Sequence, residues 1–306
     1  MAYAKHIETD RGLTARMFVT GLFLVVLWGV LGAVLFAAGV GIGLIVVIEL
    51  AIIFGQYWFS DKIALFGMGG RVVTPEEAPE LHAMVDRLCA MADMPKPRVA
   101  IADTDMPNAF ATGRSPKSAV VCATTGIMAR LSDEELEAVL AHEISHVAHR
   151  DVAVMTIASS VGMLAGLLTR VAMWSTIFSG GGNNDNNQGA ALAEIAIMLV
   201  SIVVYALSFM LTMALSRYRE LAADRSGAIL IGRPALLASA LVKITGEMSR
   251  IPTKDLRKAE AFNAFFFTPA INGKSGSSLA NLFSTHPSIE KRLAQLDELE
   301  RQLNAG

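Results

Sequence analysis

The sequence predicts a mainly α-helical membrane protein, with four transmembrane helices plus a cytoplasmic α+β domain that carries a small sheet. Three observations predict it. Of the 306 residues 53% are apolar and 18% charged, below the usual quarter of charged residues in a soluble domain. The apolar excess lies in long uninterrupted runs rather than in a periodic pattern. The remaining polar segments carry helix caps, short β-type runs and turn residues. The net charge of −2 mixes both signs through those segments, so no basic stripe suits nucleic acid and that class of partner is excluded.

From Met17 to Phe59 only Glu49 is ionisable. As one helix this stretch would run about 64 Å, twice a hydrocarbon core of about 30 Å, so it divides into two spans. Gly39, Gly41 and Gly43 mark the turn between a span near 17–38 and one near 41–59. The run is too long for a cleaved signal peptide and is expected to stay in the mature chain. Two further runs, 152–178 and 190–215, are joined by the Gly- and Asn-rich stretch 179–189 and are each long enough to span.

The domains expected on this basis are an N-terminal hairpin 1–60, a polar part 61–151, a second hairpin 152–215 and a polar part 216–306. Lys5, Arg11 and Arg16 precede the first span, both polar parts are rich in Lys and Arg, and neither inter-span turn has any. The positive-inside rule then puts both termini and both polar parts in the cytoplasm. A charge inside a span costs about 2.5–3.5 kcal/mol on insertion scales. Arg170 and Glu194, both expected near the outer face, are read as a pair, whereas Glu49 sits nearer mid-span with no partner to name.

In the first polar part, Thr74-Pro75-Glu76-Glu77 predicts a helix start, with Leu81, Val85 and Leu88 on its apolar face. Arg98 to Ile101, Asn108 to Gly113 and Ala119 to Ala123 predict the strands of a partly antiparallel sheet. Ser132-Asp-Glu-Glu135 is a capping box, opening a helix that runs through Leu136, Val139 and Leu140 to about Arg150. Near the end, Pro287 is expected to start a helix with Ile289, Leu293, Leu296 and Leu303 along one face. Cys89 and Cys122 stand apart with no C-x-x-C partner and predict reduced packing residues.

The chemistry lies on the capped helix. His142-Glu143-Ile144-Ser145-His146 places two histidines one turn apart, both able to reach one zinc, while Glu143 lies about 100° round the helix and can act as general base. The motif follows Asp133, Glu134, Glu135 and Glu137, which sets the site outside the hydrocarbon and disfavours an intramembrane protease. A catalytic zinc needs a third protein ligand. The position six residues after His146 is Val152, but Arg219-Glu220-Leu221-Ala222-Ala223-Asp224 offers Glu220 as ligand and Asp224 as acceptor for the outward N–H of a ligating histidine. Two spans separate His146 from Glu220, which returns Glu220 to the compartment of the histidines. His149 is read as interfacial or supporting rather than as a ligand.

Together Asn108-Ala109-Phe110-Ala111, the His142 to His146 motif, Glu220 with Asp224, and Ser284-Thr285-His286-Pro287 resemble the HtpX family of bacterial heat-shock membrane peptidases. These are gluzincins related to the CAAX prenyl endopeptidases, and the resemblance covers nearly the whole chain. It implies that the cytoplasmic part is a zinc-peptidase domain holding one Zn2+ per subunit, in a multi-pass protein of the bacterial inner membrane. It implies endopeptidase activity on the cytoplasmic side against misfolded or damaged membrane proteins, with the lipid bilayer and unfolded polypeptides as partners. It makes Glu220 the third ligand and Glu143 the base. His286 would help stabilise the oxyanion, or else cap the helix from Pro287. Asn108, Ala109 and Phe110 would form an edge strand for backbone pairing with substrate, or else an ordinary strand. The rival from another class is a metal-binding scaffold or holdase without catalysis, which would have no need of Glu143.

Overall fold

The computed structural model describes residues 11–37, 42–178, 188–248 and 284–305. Helices dominate: α1 (Arg11–Ala37), α2 (Ile42–Met68), α3 (Pro79–Ala92), α4 (Thr125–Arg130), α5 (Asp133–Ala148), α6 (Asp151–Phe178), α7 (Gln188–Ile231), α8 (Pro234–Met248) and α9 (Ile289–Ala305). Four short strands, β1 (Gly70–Val72), β2 (Arg98–Ala102), β3 (Ala109–Thr112) and β4 (Val120–Thr124), form one mixed sheet in the order β1-β2-β4-β3. β2 and β4 run parallel, and β1 and β3 pair antiparallel at the two edges.

Three, not four, of the described segments are long and apolar enough to cross a bilayer: Arg11–Ala37, Asp151–Val171 and Ile195–Ile231. The expected second span is not among them, and the side chains at 42, 44, 45 and 48 in its first turns lie outside the described residues. α2 does not end at Phe59 but continues to Met68, carrying Glu49, Gln56, Ser60, Asp61 and Lys62. Its last turns lie under the sheet, where Ala64, Leu65 and Met68 pack against Ala100, Ala102, Phe110, Val120 and Cys122. The turn at 38–41, the stretch 179–187 and the side chain of Glu194 lie outside what is described. Arg170 is exposed.

α1, α6 and α7 meet through Leu31, Leu35, Val161, Leu164, Ala165 and Val204. Glu49 of α2, 5% exposed, has the partner its sequence position did not name: Trp28 Nε1 of α1 donates to Glu49 Oε1 at 2.9 Å.

The opposite face of the sheet carries the main core. Val99, Val121 and Ala123 face α3 (Leu81, Val85, Leu88) and α5 (Leu136, Val139, Leu140, Ile144), with Leu237, Leu241 and Ile244 of α8 and Leu296 and Leu299 of α9 closing the layer. Successive residues of a strand point to opposite faces, so β4, covered on both, is buried at all five positions.

Several helix ends differ from expectation. Thr74 N is bonded by Glu77 Oε2 at 2.8 Å as in a capping box, but residues 75–77 form a turn and α3 starts at Pro79. α9 starts at Ile289 rather than Pro287, with Ser288 O accepting from the N–H of Lys291 and Arg292. α5 keeps the predicted box, Ser132 with Glu135. The polar helix with Glu220 is no separate element. Nothing between Leu215 and Glu220 interrupts the backbone ladder, and α7 runs unbroken for 44 residues, about 66 Å, so it leaves the apolar layer and continues into the polar domain. The free cysteines Cys89 and Cys122 are both buried, and burial pushes their thiols up to about 11 and about 12.

Candidate active site

α5 crosses beside α7 where Gly227 comes against His142. A β-carbon on Gly227 would fall 2.8 Å from His142 N and 2.9 Å from its Cα. That close approach lets Glu220 and Asp224, two turns and one turn earlier on α7, face the histidines.

His142 Nε2 and His146 Nε2 lie 3.1 Å apart. Glu220 Oε2 is 3.7 Å from the former, and Glu220 Oε1 is 3.4 Å from the latter. One donor atom from each of the three residues falls within 4.8 Å of the others. The outward nitrogens face carboxylates: His142 Nδ1 lies 2.9 Å from Asp224 Oδ1, and His146 Nδ1 lies 2.7 Å from Asp151 Oδ2. A carboxylate only accepts, so Nδ1 of each ring carries a proton, and in the neutral form that a metal ligand requires each Nε2 presents its lone pair. Burial lowers the pKa of His146 but the Glu220 carboxylate raises it, with a net rise, so the cluster favours a positive charge among its donor atoms, whether a proton or a cation. The donor set of two imidazoles and one carboxylate suits zinc with a position left open.

Burial holds His142 below its ordinary pKa, which keeps its ring neutral, as a metal ligand must be. Burial also pushes the Glu143 carboxyl up to about 8, against the charge of His146; Glu220 adds to the rise, and a bond from the Ala111 N–H opposes it.

The C-terminal segment completes the site. Arg217 Nη1 donates to Ser284 O at 2.7 Å, and the buried ring of His286 places Nδ1 at 3.1 Å from Glu220 Oε2. Arg292, 2% exposed, grips Asp224 with Nε at 2.7 Å and Nη2 at 2.6 Å. Neither Arg292 nor Asp151 carried a sequence signal for the site, and Gly227 was missed as well. Asp151 stands five residues after His146, a spacing that on an unbroken helix points about 140° away.

A cavity of about 420 Å³ opens over these groups, walled by Ala109–Gly113 at β3, by His142, Glu143 and His146, and by Met155, Thr156 and Ser159 of α6. β3 ends the sheet, and no further described strand pairs with its outer edge. Asn108 precedes β3 and is fully buried, with its N–H bonded to Thr124 Oγ1 at 2.9 Å; the cavity wall begins one residue later. His149 stays out of the donor cluster: it caps the end of α5, and its carbonyl accepts from Arg219 Nη2 at 3.1 Å.

The sequence profile of peptidase family M48 matches residues 75–300. Protease HtpX homolog 1 of Streptomyces coelicolor is 59% identical over 297 residues, covering 97% of this chain and 95% of the relative. Protease HtpX homolog of Moorella thermoacetica is 53% identical over 300 residues, covering 98% of each. In fold the chain is similar to S. mikatae Ste24p, with a TM-score of 0.54 at 16% identity over 94% of this chain and 67% of that one. With a cluster that could hold a metal lining the cavity and apolar helices long enough to span, the chain belongs to peptidase family M48 and, within it, to the HtpX membrane metalloproteases.

Proposed function

We propose that this metallopeptidase is a zinc-dependent endopeptidase that cuts misfolded or damaged membrane proteins, and other unfolded polypeptides, on the cytoplasmic side of the bacterial inner membrane. The observation that carries the reading is the convergence of the His142, His146 and Glu220 donor atoms on the floor of a cavity with an edge strand along one wall. The cytoplasmic orientation of both termini and of the site takes α2 as a fourth span and rests on the Lys and Arg asymmetry of the sequence. The membrane substrate class is supported by the cavity reaching Met155 and Ser159, within an apolar segment.

His142, His146 and Glu220 would hold the zinc. When bound, it supplies Lewis-acid polarisation of the scissile carbonyl and lowers the pKa of water. A cation there also acts against the rise at Glu143, since a nearby opposite charge favours the carboxylate. Glu143 takes a proton from the attacking water as the oxygen bonds to the carbonyl carbon, then returns it to the amine as the C–N bond breaks. His286, on the Glu220 side of the cluster, donates to the oxygen on which negative charge develops. The outer edge of Ala109 to Ala111 takes an extended substrate by backbone pairing, with Asn108 holding that strand's entry, and this suits loose sequence preference.

Cleavage of casein and of an unfolded membrane protein, by the full chain in detergent with zinc, tests the proposal. The expected result is internal cuts, lost on chelation and restored by zinc. Stoichiometric zinc uptake with no cleavage of either protein would instead identify a metal-binding scaffold.

A further inference from the structure

His142 and His146 each have an outward carboxylate of their own, and each of those carboxylates has its own guanidinium. For His142 these are Asp224 and Arg292. For His146 they are Asp151, whose Oδ2 lies 2.7 Å from Nδ1, and Arg219, whose Nη2 pairs Asp151 Oδ1. Asp151 and Arg219 are buried, at 7% and 9% exposure. Arg219 Nη2 also donates to His149 O at 3.1 Å, which fixes the guanidinium from a second side.

The backbone is bent to make this contact. α5 ends at Ala148, Arg150 takes a φ of 56°, and Asp151 opens α6. An L-residue adopts positive φ at a cost, and here the break swings Asp151 back to the ring that a continuous helix would carry it away from. The new helix N-terminus also favours the ionised carboxylate.

We propose that Asp151, held by Arg219, is the positioning pair that fixes the tautomer and ring orientation of His146, so that metal binding depends on contact between the first residue of α6 and the residue beside Glu220 on α7. The inference rests on the metallopeptidase reading of this site. The chemistry discriminates sharply. Asp151 meets the two donors with different oxygens, so an asparagine at 151 in the same orientation turns its NH2, which cannot accept, toward either His146 or Arg219.

The test is zinc affinity, by competition with a chelator, and the visible spectrum of the cobalt-substituted full chain in detergent. It compares wild type, Asp151→Asn and Glu135→Gln. Glu135→Gln is the control for a merely structural loss, because it breaks the ion pair of the buried Glu135 with the half-exposed Lys243, which touches no ligand. Asp151→Asn is expected to weaken zinc by about 10- to 100-fold and to shift the cobalt bands, while Glu135→Gln leaves both unchanged. Zinc affinity within about twofold of wild type and an unmoved cobalt spectrum in Asp151→Asn would overturn the proposal, with the metal site itself intact. A wild type that takes up no zinc would instead sink the underlying reading along with it. Should Asp151→Asn give no folded protein, Arg219→Lys serves: the charge stays but the fork shared between Asp151 and His149 O is lost. Weaker zinc in that variant supports the pair, and wild-type affinity contradicts it.

Discussion

Gly227 of α7 lies against the backbone of His142, closer than any side chain permits: its missing β-carbon would sit 2.8 Å from His142 N. The atoms in the way are backbone, which cannot rotate aside, so a methyl group there must push α7 off α5. Glu220 and Asp224 ride on α7 and would move with it.

Gly227→Ala is therefore expected to lower both zinc affinity and thermal stability, the latter by about 1–3 kcal/mol as overpacking does. Gly246→Ala, in α8 where no atom lies within 4 Å of the added carbon, should be neutral or slightly stabilising. Zinc titration and melting of both variants check the contrast. An intact zinc site in Gly227→Ala would show that helix proximity at this point does not set the ligand geometry.

Glu135 predicts a pH dependence of stability. Burial pushes its carboxyl up, but Lys243 Nζ, the Ser132 N–H and Ser239 Oγ hold it down at about 2. A carboxyl with a depressed folded pKa contributes stability that is present above its ordinary value of 4.5 and lost as pH falls toward 2. Glu135→Gln should melt below wild type at pH 6, by about 2 kcal/mol for charged hydrogen bonds, and the gap should narrow from pH 4.5 downward. A gap independent of pH would mean that charge plays no part.

Trp28 and Glu49 predict an effect among the apolar helices. Trp28→Phe removes the donor at 2.9 Å and leaves a buried carboxylate oxygen without it, at a cost of about 1–3 kcal/mol. Glu49→Gln retains an acceptor for the indole and should cost less. Melting in one detergent ranks the two, and the reverse order would show that the indole bond does not hold Glu49.

Much of the site was legible because its signals are local or topological. His142, Glu143 and His146 share one amphipathic helix, so spacing alone sets their faces. Glu220 followed from span parity, even though its helix proved continuous with the span. That step does not depend on α2, since α6 and the apolar part of α7 alone lie between His146 and Glu220. Asp151, Arg292 and Gly227 were invisible for a common reason: each acts through a contact created by packing, at a helix break, from α9 onto α7, or at a helix crossing. β1 is three residues beginning with glycine and has no alternation to read. α2 runs on past the apolar stretch that suggests a span because its end packs on a sheet that the sequence does not place beside it.

His286 predicts a separation of turnover from metal binding. Ser288 supplies the carbonyl that starts α9, which leaves the His286 ring turned toward Glu220, with Nε2 making no hydrogen bond among the described residues. His286→Ala should lower kcat by about 10²–10³, as loss of an oxyanion donor does, with zinc content unchanged. Loss of folded protein with normal kcat in the remainder would assign the residue to structure.

The central claim, that Glu220 holds the metal and Glu143 moves the proton, is tested most directly by measuring zinc content and peptide cleavage in Glu220→Ala and Glu143→Gln purified in the same detergent. Glu220→Ala leaves two histidines and should lose zinc and activity together. Glu143→Gln removes no ligand and should keep its zinc while turnover falls by about 10²-fold or more. Full zinc in Glu220→Ala, or loss of zinc in Glu143→Gln, would contradict the account.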